Sequence, residues 1–175
     1  YSDYYKDHDH IVQAKDAFYQ TILGIHKLSS IGFKIEIRVV LHKLSLERLG
    51  ELAEFIHLNF PFVYHVTFMG LEIIGYTKAH RAELIIEDFK FKNEQLKTAI
   101  SKLEPWNYAI SIYNLPFCYL DKELWDYSRQ SISDWKNSFH SECNGCSKMK
   151  ECAGFFSWNL VHMKPIPIRE EGNTK

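Results

Sequence analysis

At 175 residues the chain has the length of one domain, and with 46% hydrophobic and 15% aromatic residues it can bury a full core rather than stay disordered. Its net charge of −1 gives no basic footprint for nucleic acid or for an anionic membrane surface. The longest apolar runs, residues 35–41 and 66–74, are interrupted by charge or glycine and are too short to span a bilayer.

The chain opens on Tyr1, without an initiator methionine and without the basic and apolar stretches of a signal peptide, and it reads as a piece of a longer protein. Over residues 9–30, Ile11, Ala14, Phe18, Ile22, Ile25 and Leu28 recur at steps of three and four, which predicts one amphipathic helix ended by Gly32. Asp7 or Asp9 caps its start, so His8 and His10 belong to a helix opening rather than to a metal. Residues 33–41 form a nearly continuous apolar, β-branched run that suits a parallel strand covered on both faces. Ser45 is placed to cap a second helix carried by Leu46, Leu49, Ala53, Ile56 and Phe60 and closed by Pro61. Residues 63–69 read as the next strand.

A short strand is expected at 84–87, a third helix over 93–103, and a third clear strand over 108–113, ended by Asn114-Leu115-Pro116. Asp121 then caps a last helix reaching about residue 137, and the tail from Arg169 has a disordered composition. The four tryptophans, Trp106, Trp125, Trp135 and Trp158, are assigned to the core by default. Strands alternating with helices over short connections predict an α/β fold with a parallel sheet. Three strands do not close a barrel, so the expected fold is a partial βα (TIM-like) barrel lacking its first half. A small cysteine-bearing C-terminal extension follows it. The expected divisions are 1–115 for the barrel portion, 116–160 for the extension and 161–175 for the tail.

Four cysteines are too few for a disulfide-stapled secreted scaffold, and three of them fall within ten residues, which argues for metal ligation in a reducing cytoplasm. Cys143-Asn144-Gly145-Cys146 is a two-residue knuckle whose thiolates can face one metal, with Gly145 easing the turn. Cys152 follows after five residues and Cys118 lies upstream, at the end of the third strand. Lys148 and Lys150 lie where they can offset thiolate charge. Four sulfurs complete a tetrahedral zinc site or ligate a four-iron cubane, and spacing alone leaves both open.

In the strand 33–41, Glu36 and Arg38 share a face, an unusual pair on a buried strand, since each must be partnered or solvated. They form either a bridge between neighbouring strands or part of a ligand site. Gly70, just past a strand end, allows close backbone approach to a ligand or is an ordinary loop glycine. His42 and His65, near strand ends, either reach a substrate pocket or are satisfied by hydrogen bonds.

Several segments together resemble a known family. Residues 131–137 (Ser-Ile-Ser-Asp-Trp-Lys-Asn), 142–146 (Glu-Cys-Asn-Gly-Cys) and 152–156 (Cys-Ala-Gly-Phe-Phe) look like the C-terminal region of radical S-adenosylmethionine (SAM) peptide maturases. The nearest likeness is to the maturase of the His-Xaa-Ser-repeat system. Residues 8–15, 35–40 and 69–72 (Met-Gly-Leu-Glu) are similar to the same family, so the likeness covers most of 7–156.

The resemblance implies that Cys118, Cys143, Cys146 and Cys152 hold an auxiliary 4Fe-4S cluster rather than zinc. It also implies that Glu36, Arg38, Gly70 and Glu72 contribute to a SAM pocket, Arg38 holding the methionine carboxylate. The implied substrate is a ribosomally made peptide. Two departures stand out: the SAM-cleaving Cys-x3-Cys-x2-Cys motif does not occur, and the further cysteine usual after the block is replaced by Phe155 or Phe156. The fragment alone is therefore expected to be inactive, supplying late barrel strands and the auxiliary centre. A zinc module with a closed four-cysteine site and a metal-free interaction domain are the competing readings.

Overall fold

The computed structural model describes residues 1–86 and 93–169. Four parallel strands form one sheet in sequential order: β1 (Glu36–Leu41), β2 (His65–Gly70), β3 (Ala109–Tyr113) and β4 (Ser128–Arg129). The register aligns Glu36 with His65 and Ala109, and Arg38 with Thr67 and Ser111. Sequential order in a parallel sheet is the winding of a βα barrel segment, as the strand–helix alternation predicts.

Because side chains alternate along a strand, Val39, Val66, Phe68 and Ile112 share one face. They join one buried cluster with Leu49, Leu52, Ala53 and Ile56 of α4 (Leu49–Asn59) and Leu96, Ala99, Ile100 and Leu103 of α7 (Asn93–Leu103). Both helices present apolar residues at steps of three and four, so each lays one stripe on the sheet. The other face carries the polar row Glu36, Arg38, His65, Thr67 and Ser111. Apolar burial is thus concentrated on one side of the sheet, although Thr67 and Ser111 of the polar row are also buried.

The predicted first helix is two helices, α1 (Tyr5–Val12) and α2 (Ala17–Ser30). The chain breaks at Gln13 and Asp16, both left-handed. Asp9 explains the break. Its carboxylate accepts the Asp16 N–H at 2.7 Å and the Phe18 N–H at 2.8 Å, capping α2 from the preceding helix. As expected, Gly32, left-handed just past the end of α2, stops the helix, and the Phe33 N–H bonds back to the Leu28 carbonyl. Phe33 is 62% exposed and lies outside β1, which begins only where His65 offers a partner.

The second predicted helix is likewise divided, into α3 (Lys43–Leu46) and α4. His42, not Ser45, is the cap: its Nδ1 accepts the Ser45 N–H, and Ser45 Oγ accepts the His42 N–H. The strand expected at 84–87 is not formed over the described part. Leu84 ends a short helix, α6 (Arg81–Leu84), which follows α5 (Gly75–Ala79), and residue 87 lies outside the described residues.

The helix expected from Asp121 to about 137 is replaced by a 3-10 turn (Lys122–Tyr127), β4, and a second turn (Asp134–Lys136). Trp125 Nε1 donates to the Phe117 and Leu120 carbonyls and holds the first turn in place. Asn137 then bonds both backbone groups of Ser131, which competes with a helical ladder. Of the tryptophans, Trp106, Trp135 and Trp158 are exposed, so the core assignment fails for three of four. They sit on connections, outside the periodic faces that fill the core.

Candidate functional site

All four cysteines line one narrow cavity of about 20 Å³, walled by Phe117, Phe139, Met149, Phe155 and Ile166. None is in a disulfide. Cys118 stands in a 3-10 turn (Phe117–Tyr119) just after β3, and Cys143 in another (Ser141–Gly145). Cys152 Sγ accepts the backbone N–H groups of Phe117 and Gly154, each at 3.4 Å. Such donors favour the thiolate over the thiol.

Gly145 sits at no strained angle, so the turn does not depend on it. Gly154 is the glycine the cysteine segment requires: its φ is +66°, and a Cβ there would lie 2.9 Å from the Ser138 carbonyl. That contact belongs to the bridge in which Ser138 and Phe155 exchange backbone hydrogen bonds.

Burial raises the pKa of Cys118 to about 11, and it also pushes Cys143 and Cys152 up. These thiols hold their protons at neutral pH, and a bound cation must displace them. Lys148 lines the cavity, with its ammonium 3.5 Å from Glu151. The stretch 163–168 closes one side. His140 Nε2 bonds the Met163 carbonyl, Tyr119 donates to the Lys164 carbonyl, and Ser147 donates twice to the Ile168 carbonyl. The predicted tail is therefore fastened as far as Ile168, while 170–175 lie outside the described residues.

The donor set fits a thiophilic centre: four thiols, no disulfide, backbone N–H donors and an apolar wall. The space fits less closely. Among the described residues no three His, Cys, Asp or Glu side chains are gathered around a point that would hold one ion. A single ion requires the sulfurs to close in, and a cubane requires the 20 Å³ cavity to widen.

The other predicted site residues fall into two places. Glu36 and Arg38 sit in the first half of β1, away from the C-terminal strand ends. The Glu36 carboxylate takes Arg38 Nε at 2.5 Å and His65 Nδ1 at 3.0 Å, and His65 Nε2 faces Ser111 Oγ at 3.0 Å. Burial raises the Glu36 pKa, and the bonds to Arg38 and His65 outweigh that, leaving it below the usual carboxylate value. This is a bridge across three strands, and His65 is satisfied within it.

Gly70 and Glu72 lie at the C-terminal end of β2, where ligands of parallel α/β folds bind. Gly70 lines a large cavity there, but a Cβ on it would strike the Asn114 carbonyl, so the close approach it allows is to the neighbouring strand. Glu72 Oε1 is shielded from solvent with no partner among the described residues. Burial raises its pKa and nearby Lys136 opposes the rise.

His42, also at a strand end, is 2% exposed and lines a second cavity of about 160 Å³ with Tyr1, His10 and Glu83. Sequence reasoning missed Asn159, which accepts the Ile73 N–H and donates to the Leu71 carbonyl, both at 2.8 Å. It fastens the cysteine-bearing segment to the loop after β2. No signal pointed to it, because the partners are backbone groups nearly ninety positions away. Comparison of the chain with protein families, with curated proteins and with solved structures finds no match.

Proposed function

We propose that this chain is the C-terminal part of a radical SAM enzyme that modifies a ribosomally made peptide, and that its four cysteines hold an auxiliary 4Fe-4S cluster. One observation carries the reading: four unpaired cysteines from separate points of the chain line the same apolar cavity beside the ends of parallel strands. The partial βα fold suits the late strands of such an enzyme. Motif likeness favours the cluster over zinc. When bound, the cluster exchanges single electrons with the reaction.

The chain's own residues hold and shield it. Cys118, Cys143, Cys146 and Cys152 supply sulfur, Phe117 and Gly154 supply N–H donors, and 163–168 limit water. SAM cleavage belongs to residues outside this chain, since Cys-x3-Cys-x2-Cys is absent. Glu72, past the end of β2 with Oε1 unpartnered among the described residues, is the best placed of the four proposed SAM contacts, since the close approach Gly70 allows is to Asn114. Glu36 and Arg38 are already engaged with each other and with His65.

The test is anaerobic reconstitution with iron and sulfide. The expected product is coloured protein with about four irons per chain, with Cys143→Ser and Cys146→Ser each losing most of the iron. Colourless protein holding one zinc under the same conditions would establish the structural zinc site instead. Protein that takes neither metal, and whose stability is indifferent to both substitutions, overturns both readings.

A further inference from the structure

A cavity of about 500 Å³ opens where β1, β2 and β3 end, a size typical of small-ligand sites. It lies between the sheet and the cysteine-bearing segment. Leu41, Leu71, Ile73, Ile85, Leu115 and Met163 give it an apolar side, and Asn114 and Asn159 add polar groups. Its mouth is cationic. Arg81 Nη1 donates to His162 Nδ1 at 3.1 Å. That bond fixes the tautomer, so the proton of the neutral ring is on Nε2. Desolvation first, then the charges of Arg81 and Lys78, hold His162 below its ordinary pKa, which keeps the ring neutral and Nδ1 free to accept.

The guanidinium has five N–H donors in a planar fork, and this bond uses one. No Asp or Glu is among the described residues that line the cavity. The Asn159 side of the cavity is preorganised, because both ends of its amide are held by the loop after β2. A chamber with one apolar side and a cationic, donor-rich mouth disfavours cations. It suits an anion of flat, two-oxygen geometry attached to a hydrocarbon body.

We propose that this cavity binds a carboxylate carried on an apolar body, with the carboxylate on Arg81 and His162 Nε2–H and the body against Leu71, Ile73 and Leu115. Two sources present that chemistry, a free medium-chain acid and the C-terminal residue of a peptide ending in an apolar side chain. The inference does not depend on the metal at the cysteines, so either can fail alone.

The probes are octanoate and N-acetyl-leucyl-leucine, each beside its terminal amide, titrated into the protein by calorimetry with no metal added. At least one acid is expected to bind at least tenfold more tightly than its amide, as a charge-assisted pair requires. Added salt should weaken it. Arg81→Met should cost at least tenfold, and Ala82→Phe, at the cavity wall, should block both probes while the thermal midpoint stays unchanged. Preference for the peptide acid assigns the peptide source, and preference for octanoate the free acid. Equal affinity for acid and amide, unchanged affinity in Arg81→Met, or no binding of either acid at about 10 mM, beyond the weak range, overturns the proposal.

Discussion

The sheet with its two packed helices and the cysteine-bearing stretch from 116 to 168 are held together by different means. In the first, Val66, Leu96, Ala99, Leu103 and Ile112 are wholly removed from water, and they are brought there by period two in strands and by steps of three and four in helices. That stabilisation scales with apolar area and has no direction. In the second, regular elements shrink to 3-10 turns and a two-residue strand. There buried Leu120, Leu124, Phe155 and Phe156 are joined by directed bonds: Gln130 to the Lys150 and Cys152 carbonyls, His140 to the Met163 carbonyl, and Ser147 to Ile168. A region held by area weakens gradually as atoms are removed. A region held by single bonds is altered in steps, and it has room for sulfurs and polar groups that a packed core would exclude.

The contrast can be broken most forcefully at Phe68, which is 1% exposed on the helix-covered face of β2. Phe68→Ala should cost about 3–5 kcal/mol in urea denaturation. One joint transition for far-ultraviolet dichroism and tryptophan fluorescence is expected, because the extension rests on the layer. Two separated transitions would mean that each region stands alone.

His42 sharpens the comparison through pH. Burial pushes its pKa from 6.5 down to about 4. Between those values the unfolded chain binds a proton that the folded chain refuses. The contribution is complete above about pH 6.5 and disappears as pH falls to about 4, amounting to about 3 kcal/mol. Urea midpoints between pH 7 and 4 should fall, and His42→Asn should flatten the slope; an equal slope in the variant removes His42 as the cause.

The smallest of these effects is expected at the joint. Asn159→Ala leaves the Ile73 N–H and the Leu71 carbonyl without partners, at about 2 kcal/mol. Trp158 fluorescence should shift while the helical dichroism holds. A change in both would place Asn159 among the residues that hold the layer itself.

What could be read from the amino-acid order alone follows the same division. The parallel α/β class, α7 at 93–103, the positions of β1 to β3 and the apolar residues of α4 were legible, because a repeating apolar pattern states which face must leave water. That Cys143, Cys146 and Cys152 come to one cavity was legible from spacing. Hidden from it were the break between α1 and α2, β4 in place of a last helix, and the fastening of 163–168. In each, an Asp9, Asn137 or His140 side chain, or a Ser147 backbone group, meets a partner chosen by where the chain has already gone.

The glycines make the point at single-residue scale. Gly70 read either as an opening for a ligand or as an ordinary loop glycine, and it is required by the Asn114 backbone just past β3. Local sequence reports periodicity and composition, which set the hydrophobic driving force. Directed contacts between distant segments exist only once that force has packed the chain, so the large cavity, its Arg81–His162 mouth and the Asn159 joint emerge with the fold.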